Sequence, residues 1–163
     1  MIGRVIAAHG RQYVVEQADG SLLPCFPRGK KSEIACGDWV DYQASGADQG
    51  VIDKIEPRRS LFYRSNEMRQ KLIAANVDQV ILVVATEPAF SDELLTRGLL
   101  SAECQDMEAL IVLNKCDLAD KLPAARQHLA PLVALGYRVL ELAAREGADA
   151  LRPHLEGKTS VLD

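Results

Sequence analysis

The chain has 163 residues, of which 48% are hydrophobic and 26% are charged, and its formal net charge is −4. This composition is typical of a globular chain that buries a core, and no run approaches the ~18 apolar residues that a membrane-spanning helix requires. The acidic balance argues against a uniformly basic nucleic-acid binder.

The N-terminus shows no charged segment followed by an apolar one, so no secretory signal is predicted and we expect a cytoplasmic protein. The four cysteines form no C-x-x-C pair, which favours reduced thiols over a disulfide framework or a metal site. Charge is uneven, because residues 1–70 contain 10 Lys or Arg and 9 Asp or Glu, whereas residues 71–163 contain 9 and 14. This asymmetry predicts two units with different partners.

Short β-type runs occupy the first third of the chain. They are residues 3–8, 12–16, 21–26, 39–42 and 50–55, with glycine at the turns between them. Five short strands in ~55 residues suit a small barrel, so we predict a five-stranded OB-fold over residues 1–57.

Basic side chains cluster within and just after this predicted barrel. They are Arg28, Lys30, Lys31, Arg58 and Arg59, and aromatic residues lie near them in the sequence. Such groups can follow a nucleic-acid backbone and stack on bases, which predicts RNA contacts for these five residues. The alternatives are that Trp39 and Tyr42 fill the barrel and that the arginines form a solvated face.

The rest of the chain alternates between strand and helix patterns after a polar segment, 58–72, which is predicted to be a linker. Strands are predicted at 80–85, 107–113, 137–142 and 159–162, and helices at 91–100, 123–135 and 148–155. This alternation predicts a parallel α/β sheet with right-handed crossovers over residues 73–163.

Asn114, Lys115, Cys116 and Asp117 follow directly after the predicted strand 107–113. Open α/β sheets bind ligands beyond the carboxyl ends of their strands. A carboxylate there can accept hydrogen bonds from both N1–H and the 2-amino group of guanine, and adenine lacks that donor pair. The Lys115 stem can lie over the purine, and the Asn114 amide can bind the base or tie loops together. The pattern indicates a guanine site, with an ordinary solvated turn as the alternative.

The sequence contains neither G-x-x-x-x-G-K-[ST] nor G-x-G-x-x-G. The fragment Gly157-Lys158-Thr159 lacks the upstream glycine and precedes a predicted strand, whereas a phosphate loop follows a strand and opens a helix. We interpret this fragment as a plain turn and predict no catalytic residue within these 163 residues.

Several stretches together resemble the circularly permuted, ribosome small-subunit-dependent GTPase A family. They are Gly-Asp-Trp-Val at 37–40, Ile-Glu-Pro-Arg-Arg-Ser-Leu at 55–61, Ala-Ala-Asn-Val-Asp-Gln-Val at 74–80 and Asn-Lys-Cys-Asp-Leu at 114–118. The resemblance covers nearly the whole chain. It implies an N-terminal OB-fold and a circularly permuted P-loop GTPase-type parallel sheet, incomplete here because the family's phosphate loop would follow a strand like 159–162. It also implies that the chain is part of a longer protein.

The resemblance further implies a factor that binds and hydrolyses GTP during small ribosomal subunit maturation and binds rRNA through its OB-fold. The full-length protein would use GTP or GDP with Mg²⁺, and zinc would belong to a C-terminal domain absent from these residues. The implied base contacts are Asn114, Lys115, Asp117, Ala143 and Ala144, where the family usually has Ser at the position of Ala143. We therefore expect weakened support of the base at that position, a monomeric protein without a membrane partner, and no hydrolysis by these residues alone.

Two other interpretations stay open at this point. One is a non-enzymatic RNA-binding OB module with a vestigial nucleotide domain. The other is a generic flavodoxin-like domain fused to a barrel, which would make Asn114, Lys115 and Asp117 a coincidence.

Overall fold

A computed structural model describes residues 1–29, 33–65 and 67–163. Two of the predicted RNA contacts, Lys30 and Lys31, lie outside the described residues. The chain divides into two compact units, Met1–Val77 and Asp78–Asp163.

The first unit contains a closed five-stranded barrel. Its strands are β1 (Ile2–His9), β2 (Gln12–Glu16), β3 (Leu22–Pro27), β4 (Trp39–Ala44) and β5 (Gly50–Ile55), in the order β1-β2-β3-β5-β4. The β3–β5 pair is parallel and the other pairs are antiparallel. The predicted OB-type barrel is confirmed.

Alternate residues of these strands fill the barrel, as the period of two along a strand requires. The buried set includes Val5, Tyr13, Val15, Cys25, Val40, Tyr42 and Ile52. Tyr42 therefore belongs to the core, as one of the two interpretations proposed. Trp39 instead faces outward with 45% of its surface exposed, and the Arg4 guanidinium carbon lies 5.8 Å from its ring centroid.

A two-stranded antiparallel sheet lies where the sequence predicted a linker over 58–72. It consists of β6 (Leu61–Ser65) and β7 (Gln70–Ala75), and Phe62 is buried. The sequence did not predict these strands because the ends of β6 and β7 farthest from the barrel side of the pair, residues 64–65 and 70–71, carry exposed polar residues. A hairpin with so few buried positions leaves little apolar periodicity in the sequence.

An ion pair joins the barrel to the start of the hairpin. Asp38 is fully buried, and its two carboxylate oxygens accept hydrogen bonds from Arg58 Nε at 2.7 Å and from an Arg58 terminal nitrogen at 2.8 Å. Asp38 also accepts from the backbone N–H of Ala35 at 2.8 Å. These hydrogen bonds offset the free-energy cost of removing the Asp38 carboxylate from water.

The second unit is a four-stranded parallel sheet with helices. The strands are β8 (Gln79–Ala85), β9 (Glu108–Asn114), β10 (Arg138–Glu141) and β11 (Ser160–Leu162), in the order β10-β9-β8-β11. The α-helices are α1 (Asp92–Cys104), α2 (Leu122–Ala134) and α3 (Arg152–Leu155), and 3-10 turns cover Ala144–Glu146 and Asp149–Leu151. The predicted strand–helix alternation is confirmed.

Helix α1 begins where the sequence places its capping residue. The Ser91 hydroxyl accepts a hydrogen bond from the backbone N–H of Leu94, and Asp92 and Glu93 lie in the first turn. Gly98 permits close packing of α1 on β8, because a Cβ at that position would lie 2.6 Å from a Leu82 methyl carbon. None of the helices in the described ranges combines the length and apolar character that crossing a membrane requires.

Candidate base-binding site

The candidate site lies at the carboxyl end of β9, an interior strand between β8 and β10. Ile111 and Leu113 are fully buried, which explains the continuous apolar run before the motif. Asn114 is the last residue of the strand, so the motif begins where the backbone leaves the sheet.

Asn114 ties neighbouring loops together at this end of the sheet. Its side-chain oxygen accepts a hydrogen bond from the backbone N–H of Ala144 at 2.9 Å, and its carbonyl accepts from the Thr86 N–H at 3.1 Å. The loops that follow β8, β9 and β10 are thereby connected through one residue. Of the two roles that the sequence suggested for the Asn114 amide, loop connection is the one present here.

Lys115 adopts a left-handed backbone conformation, with φ of 63°. This conformation costs a non-glycine residue about 1–2 kcal/mol, so neighbouring contacts must maintain it. The Thr86 hydroxyl donates to the Lys115 carbonyl at 2.9 Å, and Lys115 Nζ donates to the Glu87 carbonyl at 2.8 Å. The loop after β8 therefore fixes both the backbone and the ammonium end of Lys115.

Cys116 points back toward the strand ends. Its thiol donates to the Leu113 carbonyl at 3.1 Å, and its backbone N–H donates to the Leu142 carbonyl at 3.2 Å. Burial raises the pKa of the Cys116 thiol, and the Glu141 carboxylate adds to that increase. Cys116 is thus a protonated structural thiol that helps to hold the loop.

Asp117 is the acidic residue of the candidate site. Its side chain is 16% exposed, and its Oδ1 atom is buried without a hydrogen-bond partner among the residues that the structure describes. Its Oδ2 atom lies 3.6 Å from a terminal nitrogen of Arg145. A buried acceptor left unpaired costs about 1–3 kcal/mol, so a ligand with suitable donors would gain that energy.

A cavity of about 230 Å³ opens beside this carboxylate. It is lined by Asn114, Lys115, Asp117, Leu118 and Arg145. The structure therefore brings together the three predicted motif residues, with an apolar side chain and an unpredicted cation. A planar base with two adjacent donors fits the unpaired acceptor, and the Leu118 side chain and Lys115 stem offer apolar surface.

Ala143 and Ala144 border the site without lining the cavity. Ala144 begins the 3-10 turn Ala144–Glu146, and its backbone N–H donates a hydrogen bond to the Asn114 side-chain oxygen. Ala143 accepts the Glu146 N–H at 2.9 Å through its carbonyl. Both residues stay predicted base contacts. The structure additionally shows the hydrogen bond from the Ala144 N–H to Asn114. Arg145 was missed because no motif marks it, although it directly follows Ala144.

The described residues predicted to contact RNA all have partners within the protein. Arg28 is 65% exposed and donates to Asp53 at 2.7 Å. Arg58 is held by Asp38 and also donates to the Glu33 carbonyl, and the hydrogen bond to Asp38 raises the pKa of Arg58. Arg59 donates to the Asn76 carbonyl at 2.6 Å. The structure gives Arg58 a stabilising role that the sequence did not reveal.

The described residues contain no group of three or more His, Cys, Asp or Glu arranged to hold a metal ion.

Sequence comparison places the chain among proteins of a defined family. The profile described as RsgA GTPase matches residues 55–163. A Burkholderia pseudomallei protein named small ribosomal subunit biogenesis GTPase RsgA is 54% identical over 165 residues, covering 98% of this chain and 52% of that protein. The protein of the same name from Bordetella pertussis is 53% identical over 163 residues, covering 98% and 54%. The chain spans about half the length of the curated relatives it matches.

Two solved structures share the architecture. The YjeQ protein of Thermotoga maritima aligns with a TM-score of 0.73 and 30% identity, covering 99% of this chain and 59% of that one. YloQ, described as a circularly permuted GTPase, aligns with a TM-score of 0.68 and 27% identity, covering 99% and 58%. The expected fold class, a barrel followed by a permuted GTPase-type sheet, is confirmed.

Proposed function

The chain belongs to the RsgA GTPase family, and we propose that its second unit binds the guanine base of GTP and GDP. In this proposal the full-length protein hydrolyses GTP during maturation of the small ribosomal subunit. The observation that supports the proposal is the buried Oδ1 atom of Asp117, which has no hydrogen-bond partner among the described residues, in a residue that lines a cavity with Asn114 and Lys115.

Guanine complements this carboxylate better than adenine does. Its N1–H and 2-amino groups can donate to the two Asp117 oxygens, whereas adenine presents an acceptor at N1 and no amino group at C2. Binding adenine would leave the carboxylate desolvated without a partner, at a cost of about 1–3 kcal/mol. Such a cost corresponds to roughly five- to 150-fold in affinity.

The residues present fit the base and do not supply the phosphate-binding part. No G-x-x-x-x-G-K-[ST] sequence occurs in the 163 residues. When bound in the full-length protein, Mg²⁺ would neutralise charge on the transferring phosphoryl group. We accordingly propose that the 163 residues alone do not hydrolyse GTP, and turnover above background by the isolated chain would contradict this. Zinc stays a prediction for a further domain.

The base assignment is tested by measuring dissociation constants for GDP and ADP with the full-length protein. We expect wild type to bind GDP at least about fivefold more tightly, and Asp117→Ala to lose this preference. Asp120→Ala removes an exposed carboxylate three residues away and should retain it. Equal binding of GDP and ADP by wild type would overturn the proposal.

We also propose that Arg28, Lys30 and Lys31 contact rRNA. Arg28 supports this because its side chain is exposed although it pairs with Asp53. Arg58 and Arg59 stay predicted contacts, although Asp38 and Asn76 accept hydrogen bonds from their guanidinium groups. A monomeric state and a cytoplasmic location stay predictions.

Charge reversal tests the RNA contact. Lys30→Glu with Lys31→Glu should weaken binding to small-subunit RNA and reduce its salt dependence by about one unit of log–log slope per lost phosphate contact. Lys54→Glu with Lys121→Glu makes the same change in net charge elsewhere and should have little effect. Equal losses in both double variants would contradict a local contact.

A further inference from the structure

Arg145 is placed at the base cavity by a fixed piece of backbone. It is the middle residue of the 3-10 turn Ala144–Glu146, whose first N–H is held by the Asn114 side chain at 2.9 Å. Its side chain is 78% exposed and lines the cavity together with the motif residues. The backbone is therefore anchored while the guanidinium is free to move through solvent.

The guanidinium lies on the Asp117 side of this cavity. In the described part of the chain, Arg145 is the cation within ion-pair distance of Asp117, with 3.6 Å between a terminal nitrogen and Oδ2. The other cation of the cavity, Lys115, donates its Nζ hydrogen to the Glu87 carbonyl. A separation of 3.6 Å is too long for a hydrogen bond, so the Arg145 contact is an ion pair of the weak, solvated kind.

A guanine base would compete with this ion pair. Both Asp117 oxygens are needed to accept from N1–H and the 2-amino group, and Oδ1 has no hydrogen-bond partner in the described part of the chain. The Arg145 guanidinium lies 3.6 Å from Oδ2, so a base that donates to Oδ2 competes with the guanidinium for the same oxygen. The exposed side chain can leave without losing a buried contact.

We propose that Arg145 is a displaceable counter-ion, which pairs with Asp117 in the nucleotide-free protein and moves into solvent when guanine binds. This inference rests on the proposed function. It makes Arg145 a positioning residue that acts through Asp117 and limits the rate of nucleotide association. The bound state then gains nothing from Arg145, so nucleotide dissociation is independent of it.

The test uses stopped-flow fluorescence with a fluorescent GDP analogue and the full-length protein. Arg145→Ala should raise the association rate constant by about two- to fivefold, because exposed ion pairs are weak, and should leave the dissociation rate constant unchanged. Added salt should accelerate association to wild type relative to Arg145→Ala, since salt screens the pair that must open. Arg145→Lys keeps the cation and should behave as wild type.

Arg152→Ala is the matched control, because Arg152 is similarly exposed and pairs with Asp149 at 3.4 Å. It removes the same charge and should leave both rate constants unchanged. A faster dissociation in Arg145→Ala would show that Arg145 holds the bound nucleotide and would overturn the inference. An unchanged association rate would overturn it too.

The two proposals fail differently. Wild type that does not prefer GDP over ADP would remove the proposed function and this inference with it. A clear guanine preference combined with unchanged rates in Arg145→Ala would remove only the inference.

Discussion

The Asn114 side-chain oxygen accepts a hydrogen bond from the backbone N–H of Ala144, and the two atoms are 2.9 Å apart. This bond connects the last residue of β9 to the turn that carries Arg145. It means that the candidate base-binding motif is held by the adjacent loop as well as by its own strand.

Asn114→Ala should weaken GDP binding by roughly fivefold or more, because the Ala144 N–H loses its acceptor at a cost of about 1 kcal/mol. The measurement is a GDP titration of the full-length variant, accompanied by its free energy of unfolding. Gln127→Ala on α2 removes an exposed amide and should match wild type. An Asn114→Ala protein that binds GDP as wild type does would show that the bond does not position the site.

Asp38→Ala should lower the free energy of unfolding by about 3–5 kcal/mol, because it leaves the Arg58 guanidinium without its buried partner. The comparison is Arg28→Ala, which breaks a more exposed pair with Asp53 and should cost about 0–1 kcal/mol. Urea unfolding of both variants measures the difference. Similar values for the two would contradict a special role for the Asp38–Arg58 pair.

Gly37→Ala should be much more destabilising than Gly46→Ala. Both glycines have positive φ, 94° and 86°, so both substitutions carry the left-handed backbone penalty. A Cβ at Gly37 would lie 2.1 Å from the Ala75 carbonyl oxygen, whereas nothing lies within 4 Å at Gly46. The overlap adds about 1–3 kcal/mol or more.

Thermal unfolding of these two glycine variants provides the test. Equal melting temperatures would show that the barrel and β7 separate locally to admit the methyl group.

The Arg126–Glu141 pair should contribute stability that depends on pH. Hydrogen bonding to Arg126 lowers the pKa of Glu141, and burial opposes this in part. Because the folded-state pKa lies below the ordinary glutamate value of about 4.3, the contribution is complete above that value and is lost as the pH falls through the folded-state pKa.

The measurement is the free energy of unfolding of wild type and Glu141→Gln across the acid range. The two proteins should differ most at neutral pH and converge in acid. A difference that stays constant with pH would rule out the ion pair as its source.

The sequence predicted the parts of this molecule that depend on local pattern. The apolar run ending at Asn114 indicated an interior parallel strand, and the Ser91 cap indicated the start of α1. Residues whose role depends on distant partners were not predictable. Arg58 looks like any surface arginine until Asp38, 20 positions away, is placed beside it.

The candidate site shows the same division. Asn114, Lys115 and Asp117 were identified because their spacing carries a chemical pattern. Arg145 belongs to a different loop, and only the fold brings it to within 3.6 Å of Asp117. Likewise, β6 and β7 were not predicted, because few residues of that hairpin besides Phe62 are deeply buried and the sequence therefore shows little apolar periodicity there.

The central claim is that Asp117 recognises the base, and the most direct measurement is the relative affinity of Asp117→Asn for GDP and xanthosine diphosphate. Wild type should prefer GDP. The variant should prefer xanthosine diphosphate, because the asparagine amide can donate to the 2-oxo group of xanthine where the carboxylate could only accept. An Asp117→Asn protein that folds and still prefers GDP would contradict the assignment of this cavity to guanine.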